Sequence, residues 1–216
     1  MIRAYFGVAV LLIGCLSAGA RVGAEEAGFV SLFDGSNLSQ WEGDTDGYVV
    51  VDGEIVCKPG GKLFTKEDYG DFVFRFEFKL TPGANNGLGI RMARGTNDAA
   101  YDAIELQILE NTAEKYAELQ PYQYHGSVYG VVPAKRGHLK PIGEWNVQEV
   151  VADGDRIKVS LNGTVIVDAD IREASKNGTM DEREHPGLLR ASGRIGFLGH
   201  GDLLYFRNIR VKRLGD

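Results

Sequence analysis

Nine consecutive residues constrain this chain most strongly. In Phe72-Val73-Phe74-Arg75-Phe76-Glu77-Phe78-Lys79-Leu80, the apolar residues fall at every second position and the charged residues Arg75, Glu77 and Lys79 fall between them. A period of two is the repeat of a β-strand, whose side chains point alternately to opposite faces; a helix would scatter these rings around its whole circumference. The pattern predicts a half-buried strand of an antiparallel sheet that delivers four of the chain's ten Phe to one core.

The same reading extends along the chain. Strands are expected at Tyr48–Val51, Glu54–Cys57, Leu88–Met92, Ala103–Leu109, Val147–Ala152, Arg156–Leu161, Thr164–Asp168, Arg194–Leu198 and Tyr205–Arg213. Asp52-Gly53 and Asn162-Gly163 separate adjacent runs as two-residue hairpin turns, because both residue types tolerate positive φ. No segment after the N-terminal leader sustains a 3.6-residue apolar repeat; Ala113–Leu119 and Ile171–Lys176 are expected to form a helical turn or two each. Many short strands without alternating helices predict an all-β, antiparallel two-sheet sandwich. Three connections, Gly95–Tyr101, Asn111–Ser127 and Pro133–Glu144, are long, polar and rich in aromatic residues, which in a sandwich marks functional loops or packed lids.

The N-terminus carries a different signal. Arg3 precedes an apolar run from Ala4 to Leu16, followed by Ser17-Ala18-Gly19-Ala20. This is the layout of a secretory signal, and the run is too short for a good membrane span. Two processing routes are open: cleavage after Ala20 or Ala24, or lipidation of Cys15 in Leu12-Ile13-Gly14-Cys15, which has the form of a bacterial lipobox. Residues 1–28 are therefore expected to be a leader and tether, and residues 29–216 one domain. The protein is expected to be exported to the periplasm or cell envelope, with membrane contact only through a lipid on Cys15. Cys57 is the other cysteine, so an intrachain disulfide is not expected; it lies in a strand-like run and reads as a small buried hydrophobe. The net charge of −6, with no basic run longer than a dipeptide, argues against a nucleic-acid partner.

Several segments together resemble the 3-keto-disaccharide hydrolase domain family. The opening Leu32-Phe33-Asp34-Gly35 with Leu38 and Trp41 is similar to that family's start, and Asp52-Gly53-Glu54-Ile55-Val56 followed by Leu63 to Phe72 is similar to a strand pair within it. Asn85 to Arg91, Glu105 to Leu109, Tyr129 to Pro133, Pro141 to Asn146, Gly196 to Gly201 and Phe206 to Ile209 follow in order. The resemblance runs from about Phe29 to Leu214, and it is the ordered set, not any one motif, that is specific. It implies a concanavalin A-like jelly roll and cleavage of glycosides whose sugar carries a 3-ketone. Lys176–Ser192, a polar, charged and insertion-like stretch, does not align with that pattern.

A 3-ketone acidifies the proton on C2 of the sugar, so cleavage can proceed by proton removal, β-elimination of the C1 substituent and addition of water. Such a site needs a base, a stabiliser for the enolate oxygen and a proton donor for the leaving group. In Glu105-Leu106-Gln107-Ile108-Leu109-Glu110, Glu105 and Gln107 share one face of a strand, with Leu106 and Ile108 facing the core and Glu110 on the opposite side from Glu105. The layout resembles the two-carboxylate strand of jelly-roll endoglucanases with Gln107 in place of the central Asp, which disfavours direct hydrolysis by paired carboxylates. Glu105 is the candidate base or acid. Its bland alternative is a surface Glu paired with a cross-strand cation.

His200 and His125 are further catalytic candidates, whereas His138 and His185 read as solvated loop residues. Arg91 is expected to project on the same side as Glu105 from a neighbouring strand, holding it or a sugar oxygen. Tyr129 and Trp145 are candidates for stacking on a sugar ring, although a Trp that begins a strand is more often core. No spaced ligand motif calls for a cofactor; a divalent metal held by Glu105, His125 and His200 is one option. The expected partner is a carbohydrate. Two functions remain open from the residues: an eliminating 3-keto-glycoside hydrolase, or a non-catalytic carbohydrate-binding module on the same scaffold.

Overall fold

A computed structural model describes residues 27–58, 60–95 and 101–215. Phe72–Leu80 is a nine-residue strand whose odd-numbered members are half-buried and whose Phe72, Phe74, Phe76 and Phe78 are fully buried. Among the described residues there are thirteen strands. The first six are β1 (Val30–Ser31), β2 (Trp41–Gly43), β3 (Tyr48–Val51), β4 (Glu54–Cys57), β5 (Lys62–Thr65) and β6 (Phe72–Leu80). Then come β7 (Asn85–Met92), β8 (Ile104–Leu109), β9 (Trp145–Asp153), β10 (Arg156–Leu161), β11 (Thr164–Asp170), β12 (Arg194–Gly199) and β13 (Leu204–Arg213). The expected helical turns are short, a 3₁₀ turn at Glu114–Tyr116 and an α-helix, α1, at Ile171–Ser175; further 3₁₀ turns lie at Thr45–Gly47 and Pro121–Gln123. The expected leader up to residue 26, with Cys15, lies outside the described residues.

The strands form two antiparallel sheets packed as a jelly-roll sandwich. The larger runs β11-β10-β9-β6-β13-β4-β3, with β1 also on β13; the smaller runs β2-β5-β12-β7-β8. Asp52-Gly53 and Asn162-Gly163 have φ of 51° and 77°, and 51° and 85°, the paired positive values of the hairpin turn that suits strand twist. Between the sheets, Phe197 of β12 stacks on Phe206 of β13 with centroids 3.8 Å apart and meets Phe76 of β6 edge-on at 5.6 Å. Each such ring taken out of water contributes roughly 2 kcal/mol, so this aromatic column is one strong tie between the sheets. Cys57 is a free, buried thiol in this core, as its strand setting predicted.

One feature of the smaller sheet positions the site. β8 is an edge strand, and its outer edge is taken by the chain just beyond the Pro121–Gln123 turn. Gly126 N–H donates to Gln107 O (2.7 Å), Gln107 N–H to Ser127 O (3.0 Å) and Tyr129 N–H to Glu105 O (2.9 Å). The exposed edge is thereby satisfied, and a polar, aromatic loop is fixed beside the outer face of β8.

Candidate active site

The alternation of β7 and β8 decides what the smaller sheet shows to solvent. Leu88, Ile90, Leu106 and Ile108 are fully buried against the larger sheet. The alternate positions, Gly87, Gly89, Glu105, Gln107 and Leu109, face outward. A cleft of about 260 Å³ lies on that outward face, with Glu105, Gln107 and Leu109 contributed by β8 and Asn85 by β7. His200, from the loop after β12, closes one side, and Tyr101, Tyr116, Gln123 and Tyr129 complete the walls.

The walls are held by specific bonds. Tyr116 Oη donates to Gly83 O at 3.1 Å, and Lys115 approaches Asp202 at 3.8 Å, linking the loop of residues 111–120 to the loop that carries His200. Gln120 N–H donates to Gln123 Oε1 at 2.9 Å, and Gln123 Nε2 donates to Tyr129 Oη at 3.1 Å. Glu110, just past the end of β8, is turned away from the cleft: its carboxylate accepts from Gly83 N–H (3.0 Å) and Thr112 N–H (2.7 Å). Burial opposes ionisation of Glu110, but these bonds prevail and lower its pKa, so it is an anionic tie between two loops.

Glu105 and Gln107 are each 6 % exposed, buried beside the loop yet lining the cleft. Room for the Glu105 side chain comes from Gly87 on β7, where a Cβ would stand 2.0 Å from Glu105 Oε1. Asn85 Oδ1 is buried without a hydrogen-bond partner at the cleft wall. The His200 side chain reaches solvent, but crowding of protein around the ring lowers its pKa, with Lys62 adding to the effect and Asp202 opposing it. At neutral pH the imidazole is accordingly uncharged and can accept a proton.

The structure thus brings Glu105, Gln107, Tyr129 and His200 to one cleft and separates three other candidates from it. His125 is 2 % exposed and stacked on Phe78 at 5.0 Å, inside the sandwich. Its Nδ1 accepts from Leu109 N–H (3.2 Å), and burial pushes its pKa down to about 4. Arg91 does not project beside Glu105. A break of register between β7 and β12 and a φ of 53° at Arg91 turn its guanidinium inward, where it pairs with Asp71 at 2.8 Å and donates to Gly70 O and Gly154 O. Trp145 lies on the outer face of the larger sheet under Lys79 and Arg207, whose charges sit 4.6 and 3.9 Å from its ring centroid.

With His125 in the core, the trio Glu105, His125 and His200 does not converge, and among the described residues no three His, Cys, Asp or Glu side chains are grouped to hold a metal ion. His185 departs from its solvated reading too: its side chain is 2 % exposed and paired with Asp181 at 3.1 Å. Sequence reasoning marked the loops Gly95–Tyr101 and Asn111–Ser127, which supply Tyr101, Tyr116 and Gln123, without assigning those residues to a site, and it assigned no site role to Asn85. Nothing in the local pattern distinguishes the four from their neighbours.

Residues 28–212 match the 3-keto-alpha-glucoside-1,2-lyase-like domain. A 3-keto-disaccharide hydrolase of Bacteroides thetaiotaomicron is 26 % identical over 228 residues, covering 87 % of this chain and 79 % of that protein. A crystal structure from Parabacteroides distasonis, provisionally named a glycosyl hydrolase, superposes with a TM-score of 0.76 at 29 % identity, covering 86 % of this chain and 99 % of the other. A second from the same organism, named likewise, gives 0.75 at 23 % identity over 87 % and 94 %, and shows the fold alone.

Proposed function

We propose a function for the cleft from the premise that the chain belongs to the family of 3-keto-alpha-glucoside-1,2-lyase-like domains, matched over residues 28–212. The protein is a carbohydrate-active hydrolase that cleaves 3-keto-glycosides, and the cleft over β7 and β8 is where it does so. The observation that carries this reading is the placement of Glu105, buried beside Gln107 and facing His200 across a cleft with aromatic walls.

The chemistry follows from the ketone. Glu105 takes the C2 proton, and the electron pair of that C–H bond forms the enolate of the 3-ketone. The enolate collapses by re-forming the C3 carbonyl and making a C1–C2 double bond, and the bond from C1 to the leaving-group oxygen breaks. That oxygen takes a proton from solvent as it leaves. Water then adds to C1 and gives up a proton by way of His200 to solvent, while Glu105 returns its proton to C2, so the net change is hydrolysis. Gln107 and Asn85 supply neutral hydrogen-bonding groups for the developing charge and the sugar hydroxyls, a role for which a second carboxylate would be repulsive. His200, uncharged at neutral pH, suits removal of a proton from the attacking water. The competing reaction, direct displacement at C1 between two carboxylates, is disfavoured because Glu110, the other carboxylate of this stretch, is committed to Gly83 and Thr112.

The export reading fits this activity, since glycans meet a cell first at its envelope. The test is incubation of the purified protein with chemically prepared 3-keto-disaccharides, following release of free sugars. Turnover is expected; sugar binding without any turnover would replace the enzyme reading with that of a binding module.

A further inference from the structure

Tyr101, Tyr116 and Tyr129 all line the cleft, and their hydrogen bonds set them apart. Tyr116 Oη donates to Gly83 O at 3.1 Å, so its proton is committed to the fold. Tyr129 Oη accepts from Gln123 Nε2 at 3.1 Å, a neutral amide. Tyr101 Oη accepts from the Arg183 guanidinium at 2.7 Å, with that cation 5.2 Å from the ring centroid. A hydroxyl that accepts from a donor directs its own proton elsewhere. A charged donor also makes that hydroxyl a better acid, because the bond tightens as negative charge develops on the oxygen.

Arg183 is held at Tyr101 by a turn. The side chains of Asp181 and His185 are 5 % and 2 % exposed, and Asp181 accepts from His185 Nε2 (3.1 Å), Thr179 Oγ1 (2.8 Å) and Arg183 N–H (3.2 Å). The turn rests on Gly130, at φ 74°, where a Cβ would stand 2.3 Å from Asp181 Oδ2. The His185 ring meets Tyr101 edge-on at 4.9 Å. One turn thus fixes both the phenol and its cation. Crowding by protein raises the Tyr101 pKa, with Arg183 opposing, so the hydroxyl is protonated at neutral pH.

The leaving oxygen needs a proton, and the other groups of the cleft are poorly suited to give one. Glu105 keeps the C2 proton until hydration, His200 is uncharged, and the amides of Asn85, Gln107 and Gln123 do not ionise. On the reading that Glu105 removes the C2 proton, we propose that Tyr101 is the acid that protonates the departing oxygen, with Arg183 as its positioning residue. As the bond from C1 to oxygen breaks, its electron pair goes to that oxygen, which takes the Tyr101 proton. The phenolate is held by the guanidinium. Arg183 is exposed and lines a second pocket of about 230 Å³ behind Tyr101, so solvent reaches the phenolate there and returns its proton.

The experiment compares wild type, Tyr101→Phe and Arg183→Ala on methyl and 4-nitrophenyl 3-keto-glucosides. Methoxide needs a proton to leave, whereas 4-nitrophenolate does not. Tyr101→Phe keeps the ring, and it is expected to lower kcat/KM on the methyl glycoside by roughly a hundredfold while the loss on the 4-nitrophenyl glycoside stays within about threefold. Arg183→Ala is expected to show the same leaving-group dependence at roughly tenfold, whereas loss of a merely structural residue would lower both substrates alike. Equal losses on both substrates in Tyr101→Phe, no loss on either, or the same dependence appearing in Tyr129→Phe instead would overturn the proposal. Exchange of the C2 hydrogen with deuterated solvent separates it from the reading it rests on. Exchange needs only the base and is expected to persist in Tyr101→Phe; its loss there would place Tyr101 in the base's step and overturn the proposal. Wild type that neither exchanges C2 nor cleaves either glycoside overturns both readings. Exchange and cleavage by wild type, with no leaving-group dependence in Tyr101→Phe, overturns this one alone.

Discussion

The Glu105 carboxylate occupies the space over Gly87, on the neighbouring strand, where any other residue would place its Cβ 2.0 Å from Oε1. Gly87 does not need positive φ, so alanine there is tolerated by the backbone, and the atom it meets is the mobile end of a side chain. Gly87→Ala is therefore expected to keep the melting temperature within a few degrees and, with Glu105 as the proposed base, to lower kcat by roughly tenfold to a hundredfold, since a displacement of about 1 Å at such a group costs that much. Gly187 is the contrast. A Cβ there would stand 2.0 Å from the backbone of Asp102, which cannot swing aside, so Gly187→Ala is expected to destabilise the fold outright. Thermal melts and initial rates on both variants check the pair; unchanged rates in Gly87→Ala would show that the carboxylate's position is unimportant.

Replacing Glu105 with Gln keeps the shape and removes the proposed base. Turnover is expected to fall by roughly a hundredfold or more, the usual worth of a positioned proton acceptor. Exchange of the C2 hydrogen of a 3-keto sugar with deuterated solvent should disappear with it, while sugar binding persists. Retained C2 exchange in Glu105→Gln would assign the base to another group.

His125 predicts a pH dependence of stability. Its pKa is about 4 in the folded protein because burial penalises the charged ring, against an ordinary value near 6.5 in the unfolded chain. Between those values the unfolded state binds the proton that the folded state refuses, so stability falls as pH drops from about 6.5 to 4 and loses nothing further through this residue below that. A shift of this size corresponds to roughly 3 kcal/mol. Urea denaturation of wild type and His125→Gln at pH 7 and pH 4.5 separates this contribution from that of other groups; parallel losses in both proteins would contradict it.

Arg91 is expected to matter for stability and not for activity. It is 1 % exposed, and its loss would leave Gly70 O and Gly154 O without this donor and take the cation from Asp71, which keeps only the Gly154 N–H. Arg91→Met is predicted to cost about 3 kcal/mol, the low end for breaking a buried ion pair because Asp71 keeps contact with water. Chemical denaturation measures the loss. A kcat/KM below half that of wild type, measured well under the melting temperature, would instead bring Arg91 back to the site.

The contrast among these residues separates what is local from what is not. Alternation is a property of a few adjacent residues. The strand of Phe72–Leu80, the hairpins at Asp52-Gly53 and Asn162-Gly163, and the shared face of Glu105 and Gln107 are therefore legible in the chain alone. Reading Arg91 by the same alternation fails because β7 breaks register against β12, and a positive φ at one residue reverses the direction of its side chain. His125 and His200 both stand beside glycines in the chain. Docking of one loop along the edge of β8 puts the first in the core against Phe78, while the second stays at the mouth of the cleft.

By itself the sequence determined that the chain is all-β and which side chains, Glu105 and Gln107 among them, share a strand face, because steric alternation at the backbone needs no distant partner. Only the tertiary structure decided which face is wet, which His is excluded from it, and that residues 179–185 reach back across Gly130 to the wall of the cleft. Those outcomes depend on which distant segments pack together, and no periodicity within a single segment encodes them.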